Sequence, residues 1–207
     1  MKNVAIIIPA YNEGSNISGL VEKIRFEIGD CEIFIIDDSR NNESELVLKS
    51  NKRNKYFHRG KKLGRGSAAI YGLKEALKLS EIEIFIEMDA DFSHNPNELK
   101  SKINYFFKEN LDLLVASRYT KKSRIVNWSK SRSIFSKLSN FLAKKLLKIP
   151  VSDYTNGYRF YSRRSVEKIV SKCGKIGDGF IVLSEILVVI DSNNFKIGEK
   201  ETIFVNR

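Results

Sequence analysis

Short apolar runs alternate along the first half of the chain with segments whose apolar residues recur every three or four positions. The runs at 4–8 and 33–36 are rich in β-branched residues and predict two buried strands. Between them, apolar residues at spacings of three and four predict one face of a helix. That face comprises Ile17, Leu20, Val21, Ile24 and Ile28.

Apolar runs and segments with helical spacing continue to alternate as far as residue 116. They predict strands at 55–58, 82–88 and 111–116, and helices at about 43–53, 66–80 and 97–107. Strands that alternate with helices at this spacing are typical of a largely parallel sheet covered on both faces. We therefore expect an α/β fold, and the length of 207 residues fits a single domain over 1–207.

The second half of the chain is less regular. Residues 128–149 carry apolar side chains at helical spacing with basic residues between them, so a basic amphipathic helix or helix pair is expected before Pro150. The aromatic-rich segment 154–161 is expected to be an exposed strand or loop. Residues 180–190 are apolar apart from Glu185, which is expected to be buried, and 195–205 are expected to form a final strand pair.

The formal net charge of +11 is concentrated in two segments. Residues 113–152 contain ten basic residues and no acid, and residues 46–74 contain nine basic residues and no acid. Such segments indicate a localised anionic partner. The candidates are a membrane surface, a phosphorylated substrate and nucleic acid. The alternative interpretation is that both segments are lysine-rich loops exposed to solvent. Apolar residues between the charges favour a membrane-facing segment at about 120–150.

Two further features bear on the compartment. The two cysteines, Cys31 and Cys173, give neither a disulfide framework nor a zinc-binding spacing, so a reducing compartment is expected. No run reaches the roughly 18 apolar residues of a spanning helix, and the apolar start of the chain is too short for a signal peptide. These features predict a soluble or peripheral protein.

The predicted strand 82–88 ends in two carboxylates, Asp89 and Asp91, one residue apart. Residues i and i+2 of an extended chain project to the same side, so the two carboxylates can face one point beyond the strand. Two hard oxygen ligands suit Mg²⁺ or Mn²⁺ that carries a diphosphate. A solvated turn is the simpler interpretation, since aspartate favours turns and Asn95-Pro96 follows.

Other predicted strands also end in polar clusters, which would meet at one edge of a parallel sheet. Tyr11 follows the first strand and offers a ring for stacking, while Glu13 and Asp38 offer acceptors for a base and a ribose. The glycine- and lysine-rich segment 60–66 opens a predicted helix and is suited to anions, although turns use glycine too. The combination favours a nucleotide site.

Seven segments resemble, in order, those of family 2 glycosyltransferases with the GT-A fold, and in particular the dolichol-phosphate mannosyltransferase-like group. They are residues 8–13, 35–39, 62–68, 88–96, 116–119, 152–159 and 204–207. The Pro-x-Tyr-Asn-Glu and Asp-Asp-Ser motifs mark the broad family. The Asp-Ala-Asp-x-Ser-His-x-Pro motif is more specific and points to polyprenyl-phosphate acceptors.

The resemblance implies roles for individual residues. Asp89 and Asp91 would hold the metal and the diphosphate, Arg118 and Arg132 would bind the acceptor phosphate, and these four would be the catalytic residues. His94 is expected to be structural rather than catalytic. The implied donor-binding residues are Pro9, Tyr11, Glu13, Ile36, Asp38, Asp89, Ala90, Asp91 and Arg207.

The implied reaction is inverting transfer of a hexose, foremost mannose from GDP-mannose, to a polyprenyl or dolichyl phosphate. The implied cofactor is Mg²⁺ or Mn²⁺. A phosphate monoester is already dianionic at neutral pH, since its second pKa is about 6, so it needs cations rather than a general base. The expected location is the cytoplasmic face of a membrane, with a membrane-anchoring partner subunit as a further expectation.

The sequence departs from the family pattern at three places. The glycine after the Asp pair is absent, since Ser39 follows Asp38; Leu183 stands where a glutamine is usual; and the chain ends at Arg207, where relatives usually continue. Four alternatives stay open. They are a family 2 enzyme with a UDP-sugar donor and a sugar-hydroxyl acceptor, a nucleotide-sugar-binding scaffold subunit, a nucleotidyltransferase and a nucleic-acid-binding protein. No recognised nucleic-acid-binding motif is present, so no nucleic-acid partner is expected.

Overall fold

The computed structural model describes residues 3–41 and 53–206. Its first half alternates strands and helices. These elements are β1 (Val4–Ala10), α1 (Gly14–Ile28), β2 (Glu32–Asp37), β3 (Asn54–His58), α2 (Arg65–Ala76), β4 (Ile84–Glu87), a 3₁₀ turn (Pro96–Glu98), α3 (Leu99–Lys108) and β5 (Leu113–Ser117). The predicted strands and helices are confirmed to within a few residues, except the helix at about 43–53, of which 42–52 lie outside the described residues.

The second half contributes a long helix and the remaining strands. These elements are β6 (Arg124–Val126), α4 (Lys130–Leu147), β7 (Arg159–Ser162), α5 (Arg163–Lys172), α6 (Ile181–Ser192), β8 (Ile197–Glu201) and β9 (Ile203–Val205). Helix α4 confirms the predicted amphipathic helix, and Ser129 caps its start by accepting a hydrogen bond from the Arg132 N–H. The α/β prediction is confirmed.

Seven strands form the central sheet in the order β3-β2-β1-β4-β7-β5-β8. All neighbouring pairs are parallel except those of β7, which is antiparallel to both β4 and β5. One helical layer, α1 and α3, packs on the face that contains Ile6 and Ile8. The other layer, α2, α5 and α6, packs on the face that contains Ile7. Every β1 residue is therefore buried on one side or the other, as is typical of parallel strands.

The predicted helix face of α1 is confirmed, because all five of its apolar residues are buried. The expectation of an exposed segment at 154–161 is wrong: Tyr154, Tyr158 and Tyr161 are fully buried. Each tyrosine hydroxyl has a hydrogen-bond acceptor inside the protein, such as the Ile149 carbonyl for Tyr154, and this removes the cost of burying it.

The prediction of a strand pair at 195–205 is half right. The strands β8 and β9 exist, but they do not pair with each other: β8 extends the central sheet beside β5, and β9 pairs with β6 in a separate two-stranded sheet. Glu185 is half-buried rather than buried, and its carboxylate accepts a hydrogen bond from the Gly174 N–H. Both cysteines are buried, free thiols.

Candidate functional site

A cleft of about 210 Å³ lies at the carboxyl ends of β1, β2 and β4. The chain leaves β1 for β2 on one side of the sheet, and β4 lies on the other side, so this is a topological switch point of the kind that binds ligands in α/β folds. The predicted convergence of polar strand ends is found here for β1, β2 and β4, whereas the predicted cluster at 117–119 after β5 does not line the cleft. The lining residues are Pro9, Ala10, Tyr11, Glu13, Asp38, Lys62, Gly64, Arg65, Ala68, Asp89, Ala90 and Asp91.

Tyr11 presents an aromatic ring at one wall of the cleft. The side chain is 40% exposed, and the Lys62 ammonium lies 4.5 Å from the ring centroid. Glu13 lies at the N-terminal end of α1, where its carboxylate accepts a hydrogen bond of 2.6 Å from the Asn16 side-chain amide. The ring surface can stack on a base, and the nearby cation can donate to a carbonyl oxygen.

The two carboxylates at the end of β2, Asp37 and Asp38, bind different partners. Asp37 is buried and accepts hydrogen bonds from the Tyr56 hydroxyl at 2.8 Å and from the backbone N–H of Ser39 at 2.8 Å. Asp38 lines the cleft, where Arg59 binds it through two nitrogens and the Leu63 N–H donates to Oδ2 at 2.8 Å. Asp38 therefore reaches the cleft as a carboxylate that is already ion-paired.

Ser39, which follows the two carboxylates, ties the ends of two strands together. The hydroxyl group of Ser39 donates to Asp37 and accepts a hydrogen bond of 2.7 Å from the Asn12 N–H. Ser39 thus supplies a local cross-link between the segments after β1 and β2.

The segment 60–66 does not offer a free anion site at the start of α2. The N–H groups of Gly66 and Ser67 both donate to the Asp178 carbonyl oxygen, at 2.8 and 3.2 Å. Gly64 has a φ of 97°, and a Cβ there would lie 2.5 Å from the same oxygen, so glycine is required for this contact. These two donors therefore serve a neighbouring loop rather than a ligand.

Asp89 is held by Arg65. The guanidinium donates through Nε to Asp89 Oδ1 at 2.8 Å and through Nη1 to Glu87 Oε1 at 2.6 Å. Burial disfavours the charged form of Asp89, but the charge and hydrogen bonds of Arg65 outweigh burial and hold the pKa of Asp89 below its usual range. Asp89 is therefore ionised at neutral pH without help from a metal.

His94 fixes the backbone of the same motif. Its Nδ1 accepts a hydrogen bond of 2.9 Å from the Asp89 N–H, and its Nε2 lies 3.0 Å from Asn156 Oδ1. This pattern assigns the proton to Nε2 of a neutral ring, and burial lowers the pKa of His94 despite the nearby Asp89 carboxylate. The geometry agrees with the expected structural role.

Asp91 completes the carboxylate pair. It lies half-buried in the cleft, where its Oδ1 accepts a hydrogen bond of 2.9 Å from the Ser93 N–H. Within 3–41 and 53–206, no cluster of three or more acidic, histidine or cysteine side chains could hold a metal unaided. Two carboxylate oxygens nevertheless fit Mg²⁺ or Mn²⁺ in the way that substrate-diphosphate sites use it, with remaining ligands from phosphate and water.

Arg118 and Arg132 lie outside the cleft lining and meet at Trp128. The Arg118 guanidinium lies 5.2 Å and the Arg132 guanidinium 4.6 Å from the ring centroid of Trp128. Arg118 is buried in a bidentate ion pair with Asp153, with both distances 2.8 Å, whereas Arg132 is exposed and binds the Asn206 side chain. Sequence reasoning grouped the two arginines correctly but missed Asp153.

Phe204 links this cluster of Arg118, Trp128 and Arg132 to the aspartate motif. The Phe204 ring lies 5.9 Å from the His94 ring and 5.5 Å from the Trp128 ring, measured between centroids. Strand β9 therefore passes between the end of β4 and the start of α4.

The remaining implied residues are placed as follows. Pro9 and Ala90 line the cleft, whereas Ile36 is fully buried in the layer beneath α2 and does not line it. Arg207 lies outside the described residues. Sequence reasoning also missed Arg65 as the partner of Asp89, and the glycine- and cation-rich segment 60–66 was the only available signal.

Helix α4 exposes most of its apolar residues. In the described part of the chain it buries only Asn140. No helix of that part is long and apolar enough to cross a bilayer. The exposed apolar side chains of α4 are Ile134, Phe135, Leu138, Phe141, Leu142, Leu146 and Leu147.

The mostly parallel sheet, the two helical layers and the cleft at the end of β4 define a GT-A fold. The sequence model described as glycosyl transferase family 2 matches residues 5–170. The chain therefore belongs to glycosyl transferase family 2.

Two relatives that are named for transfer to a polyprenol or dolichol phosphate are similar to the chain in sequence. Polyprenol monophosphomannose synthase of Mycolicibacterium smegmatis is 34% identical over 169 residues, which cover 79% of this chain and 63% of that protein. Dolichol-phosphate mannosyltransferase of Pyrococcus furiosus is 33% identical over 192 residues, which cover 89% of this chain and 52% of that protein. The match thus spans between half and two thirds of each relative.

Solved structures share the fold at low sequence identity. Glucosyl-3-phosphoglycerate synthase from Mycobacterium tuberculosis, crystallised with Mn²⁺, UDP and phosphoglyceric acid, has a TM-score of 0.68 at 16% identity over 100% of this chain and 72% of that one. Residues 1–349 of S. aureus TarS give 0.66 at 15% identity over 99% of this chain and 59% of that one. At these identities the similarity is one of fold.

Proposed function

We propose that this protein is an inverting glycosyltransferase that moves a hexose from a nucleotide sugar to a polyprenyl or dolichyl phosphate. Mannose from GDP-mannose is the foremost donor, since both relatives are named for mannose transfer. A UDP-hexose is the alternative donor. The observation that carries the proposal is Phe204, whose ring contacts both His94 of the aspartate motif and Trp128 of the arginine cluster.

The cleft supplies the groups that a nucleotide sugar requires. Tyr11 offers its ring to the base, while Asp38 and Lys62 offer an acceptor and a donor at the same end of the cleft. Asp89 and Asp91 would hold Mg²⁺ or Mn²⁺, and the chemistry supplied there is neutralisation of the departing diphosphate. Arg207 is proposed to reach the same diphosphate, since it follows β9 beside the motif.

The arginine cluster supplies the groups that an acceptor phosphate requires. Arg132 is exposed, and Arg118, which Asp153 holds in place, lies beside it at Trp128. A dianionic phosphate oriented by these groups attacks the anomeric carbon from the side opposite the leaving group, which inverts that carbon.

The attack needs no general base from the protein. A new bond forms between the anomeric carbon and a lipid phosphate oxygen, and the bond from that carbon to the nucleoside diphosphate breaks. His94 is buried, and both of its nitrogens are committed, to Asp89 and Asn156, which agrees with a reaction that transfers no proton.

The exposed apolar face of α4 is proposed to lie in the membrane interface. Phe135, Leu138 and Phe141 would enter the acyl boundary while the lysines of the same helix meet anionic headgroups, at about 1 kcal/mol per basic residue. This position would bring the acceptor lipid to the arginine cluster. The cytoplasmic face is proposed because both cysteines remain free thiols, and a membrane-anchoring partner subunit stays a further proposal.

The test is sugar transfer from a panel of GDP- and UDP-sugars to a short polyprenyl phosphate, with Mn²⁺ or with EDTA. Metal-dependent transfer from one donor, absent with the unphosphorylated polyprenol and absent in Asp91→Asn, is the expected result. Metal-dependent donor hydrolysis without lipid transfer would move the acceptor to a sugar hydroxyl. Failure of every nucleotide sugar to bind would overturn the proposal.

A further inference from the structure

Arg65 is enclosed on three sides beside the donor cleft. Its guanidinium binds Glu87 through Nη1 and Asp89 through Nε, and Nη2 lies 2.7 Å from the same Asp89 oxygen as an ion-pair contact. The Phe180 ring centroid lies 5.5 Å from the guanidinium carbon. The side chain therefore has one orientation, set by two carboxylates and a ring.

Gly157 provides the remaining wall. A Cβ at this position would lie 1.7 Å from Nη2 of Arg65, so any larger residue would displace the guanidinium. The Gly157 backbone belongs to the segment before β7, whose neighbour Asn156 binds His94. Two independent supports therefore converge on Asp89: Arg65 holds its side chain, and His94 holds its backbone.

The contact of Arg65 with Asp89 uses only one carboxylate oxygen. Oδ1 receives the guanidinium, while Oδ2 lies 3.6 Å from His94 Nε2. No other partner of Oδ2 is found within 3–41 and 53–206. Glu87 is fully buried and also accepts from the Tyr161 hydroxyl at 2.8 Å, so it serves as the fixed anchor of the arginine rather than as a ligand.

We propose that Arg65 is a positioning residue that orients Asp89, by holding Oδ1, so that Oδ2 is presented to the metal–diphosphate of the donor. The inference rests on the proposed donor site and on no step of the transfer itself. Arg65 fixes the Asp89 carboxylate before the donor binds, so the entropic cost of ordering this side chain is met when the protein folds. The affinity for the nucleotide in the presence of metal therefore depends on Arg65.

The test measures binding of GDP and UDP by calorimetry, with MnCl₂ and with EDTA. The double variant Arg65→Met with Glu87→Gln removes the guanidinium without leaving the fully buried Glu87 as an unpaired carboxylate, and it leaves Asp89 without its arginine partner. We expect its affinity for the better-binding diphosphate to fall at least tenfold with Mn²⁺ and less than threefold with EDTA. Glu87→Gln alone keeps the Arg65–Asp89 contact but weakens the anchor of the guanidinium, so its Mn²⁺-dependent loss of affinity is expected to be smaller than that of the double variant.

Two further variants separate position from charge. Gly157→Ala leaves every charge in place but displaces the guanidinium, so it should also lose the Mn²⁺-dependent part of the affinity. The matched control removes a distant ion pair, Arg164→Met with Asp112→Asn, at the opposite end of β5, and should bind as wild type does. If the double variant does not fold, Arg65→Lys, which keeps the charge but lacks the planar guanidinium whose separate nitrogens hold the two carboxylates, is expected to lose affinity in the same Mn²⁺-dependent way.

The outcomes distinguish this inference from the proposed function. A wild-type chain that binds neither diphosphate with Mn²⁺ would overturn both. A wild type that binds, with folded Arg65 and Gly157 variants that bind equally well, would overturn the positioning role alone. Equal losses with Mn²⁺ and with EDTA would also overturn it, because a purely structural defect lowers both.

Discussion

The backbone N–H of Asp89 donates a hydrogen bond of 2.9 Å to Nδ1 of His94. The contact requires an unprotonated Nδ1, so the folded site is built around a neutral histidine. Protonation would place a second hydrogen where the Asp89 N–H already points. Burial lowers the pKa of His94, since the buried ring has little water to stabilise its charge, and the nearby Asp89 carboxylate only partly offsets this.

This relationship predicts an acid-sensitive fold. The unfolded chain takes up the histidine proton near pH 6.5, and the folded chain binds it less tightly, so protons favour unfolding below that pH. The free energy of unfolding is expected to fall below about pH 6.5, with a contribution from His94 of up to about 1.4 kcal/mol per pH unit. Urea denaturation at a series of pH values from 8 to 5 measures it.

The variant His94→Asn isolates this contribution. An asparagine amide oxygen can still accept the Asp89 N–H but does not titrate, so the loss of stability between pH 7 and pH 5 should be smaller than in wild type. His58→Asn, which leaves His94 in place, serves as the control and should keep the His94 contribution. Identical pH slopes in wild type and His94→Asn would contradict the prediction.

The buried pair of Arg118 and Asp153 predicts a large effect on stability. Removal of one partner leaves an uncompensated buried charge, so Asp153→Ala is expected to cost about 3–5 kcal/mol of unfolding free energy. Replacement of both, as Arg118→Met with Asp153→Asn, should recover much of that loss. Chemical denaturation of the three proteins measures both effects.

The sign of the pH dependence of this pair is fixed by Asp153. Burial opposes its ionisation, but Arg118 outweighs burial and lowers the pKa of Asp153. The pair therefore stabilises the fold above the unfolded value of about 3.9, and this stabilisation is lost as the pH falls through the lower folded value. The control Asp30→Ala removes an exposed carboxylate with contacts of 3.9–4.0 Å and should change stability by less than about 0.5 kcal/mol.

The sheet and its carboxyl edge could be predicted from the sequence because their signals are local. The helical period of α1 and the apolar run of β4 are set by neighbouring residues, and both elements are found. The order of polar residues after each strand then follows from a parallel sheet. Tyr11 and Asp91 could therefore be assigned to one cleft without coordinates.

The contacts that tune the site could not be predicted in the same way. Arg65 meets Glu87 and Asp89, which lie 22 and 24 residues away, and no periodic pattern encodes that pairing. The burial of the segment 154–161, which ends in β7, was mispredicted for a related reason. Tyrosines suggest exposure, yet Tyr161 is buried because its hydroxyl donates to Glu87, which lies 74 residues away in the sequence but on the neighbouring strand β4.

The exposed ring of Tyr11 is expected to contribute to the affinity for the nucleotide base. Its ring lines the cleft at 40% exposure, and base–aromatic stacking contributes about 1–3 kcal/mol per base. Tyr11→Ala should therefore weaken nucleoside diphosphate binding by roughly five- to hundredfold, while Tyr11→Phe, which keeps the ring, should bind nearly as wild type does. Calorimetric titration with GDP and UDP measures the difference, and equal affinities in Tyr11→Ala and wild type would place the base elsewhere.

We expect the protein to bind membranes through the exposed apolar face of helix α4. Phe135 and Phe141 are 70% and 63% exposed, and burial of a phenylalanine side chain contributes about 1.5–3 kcal/mol. Phe135→Glu with Phe141→Glu removes that gain and adds two charges that anionic lipids repel. We expect the partition coefficient onto vesicles that contain phosphatidylserine to fall at least tenfold in a flotation assay. The loss of apolar burial and the added electrostatic repulsion both weaken binding.

The matched control introduces the same charges elsewhere. Phe26 and Phe107 are also exposed phenylalanines, but they lie on α1 and α3, so Phe26→Glu with Phe107→Glu changes the net charge equally without touching α4. The control should retain vesicle binding apart from a small loss that added salt screens. Equal losses in the two double variants would assign binding to net charge alone, and unchanged flotation of the α4 variant would remove the helix from the membrane surface.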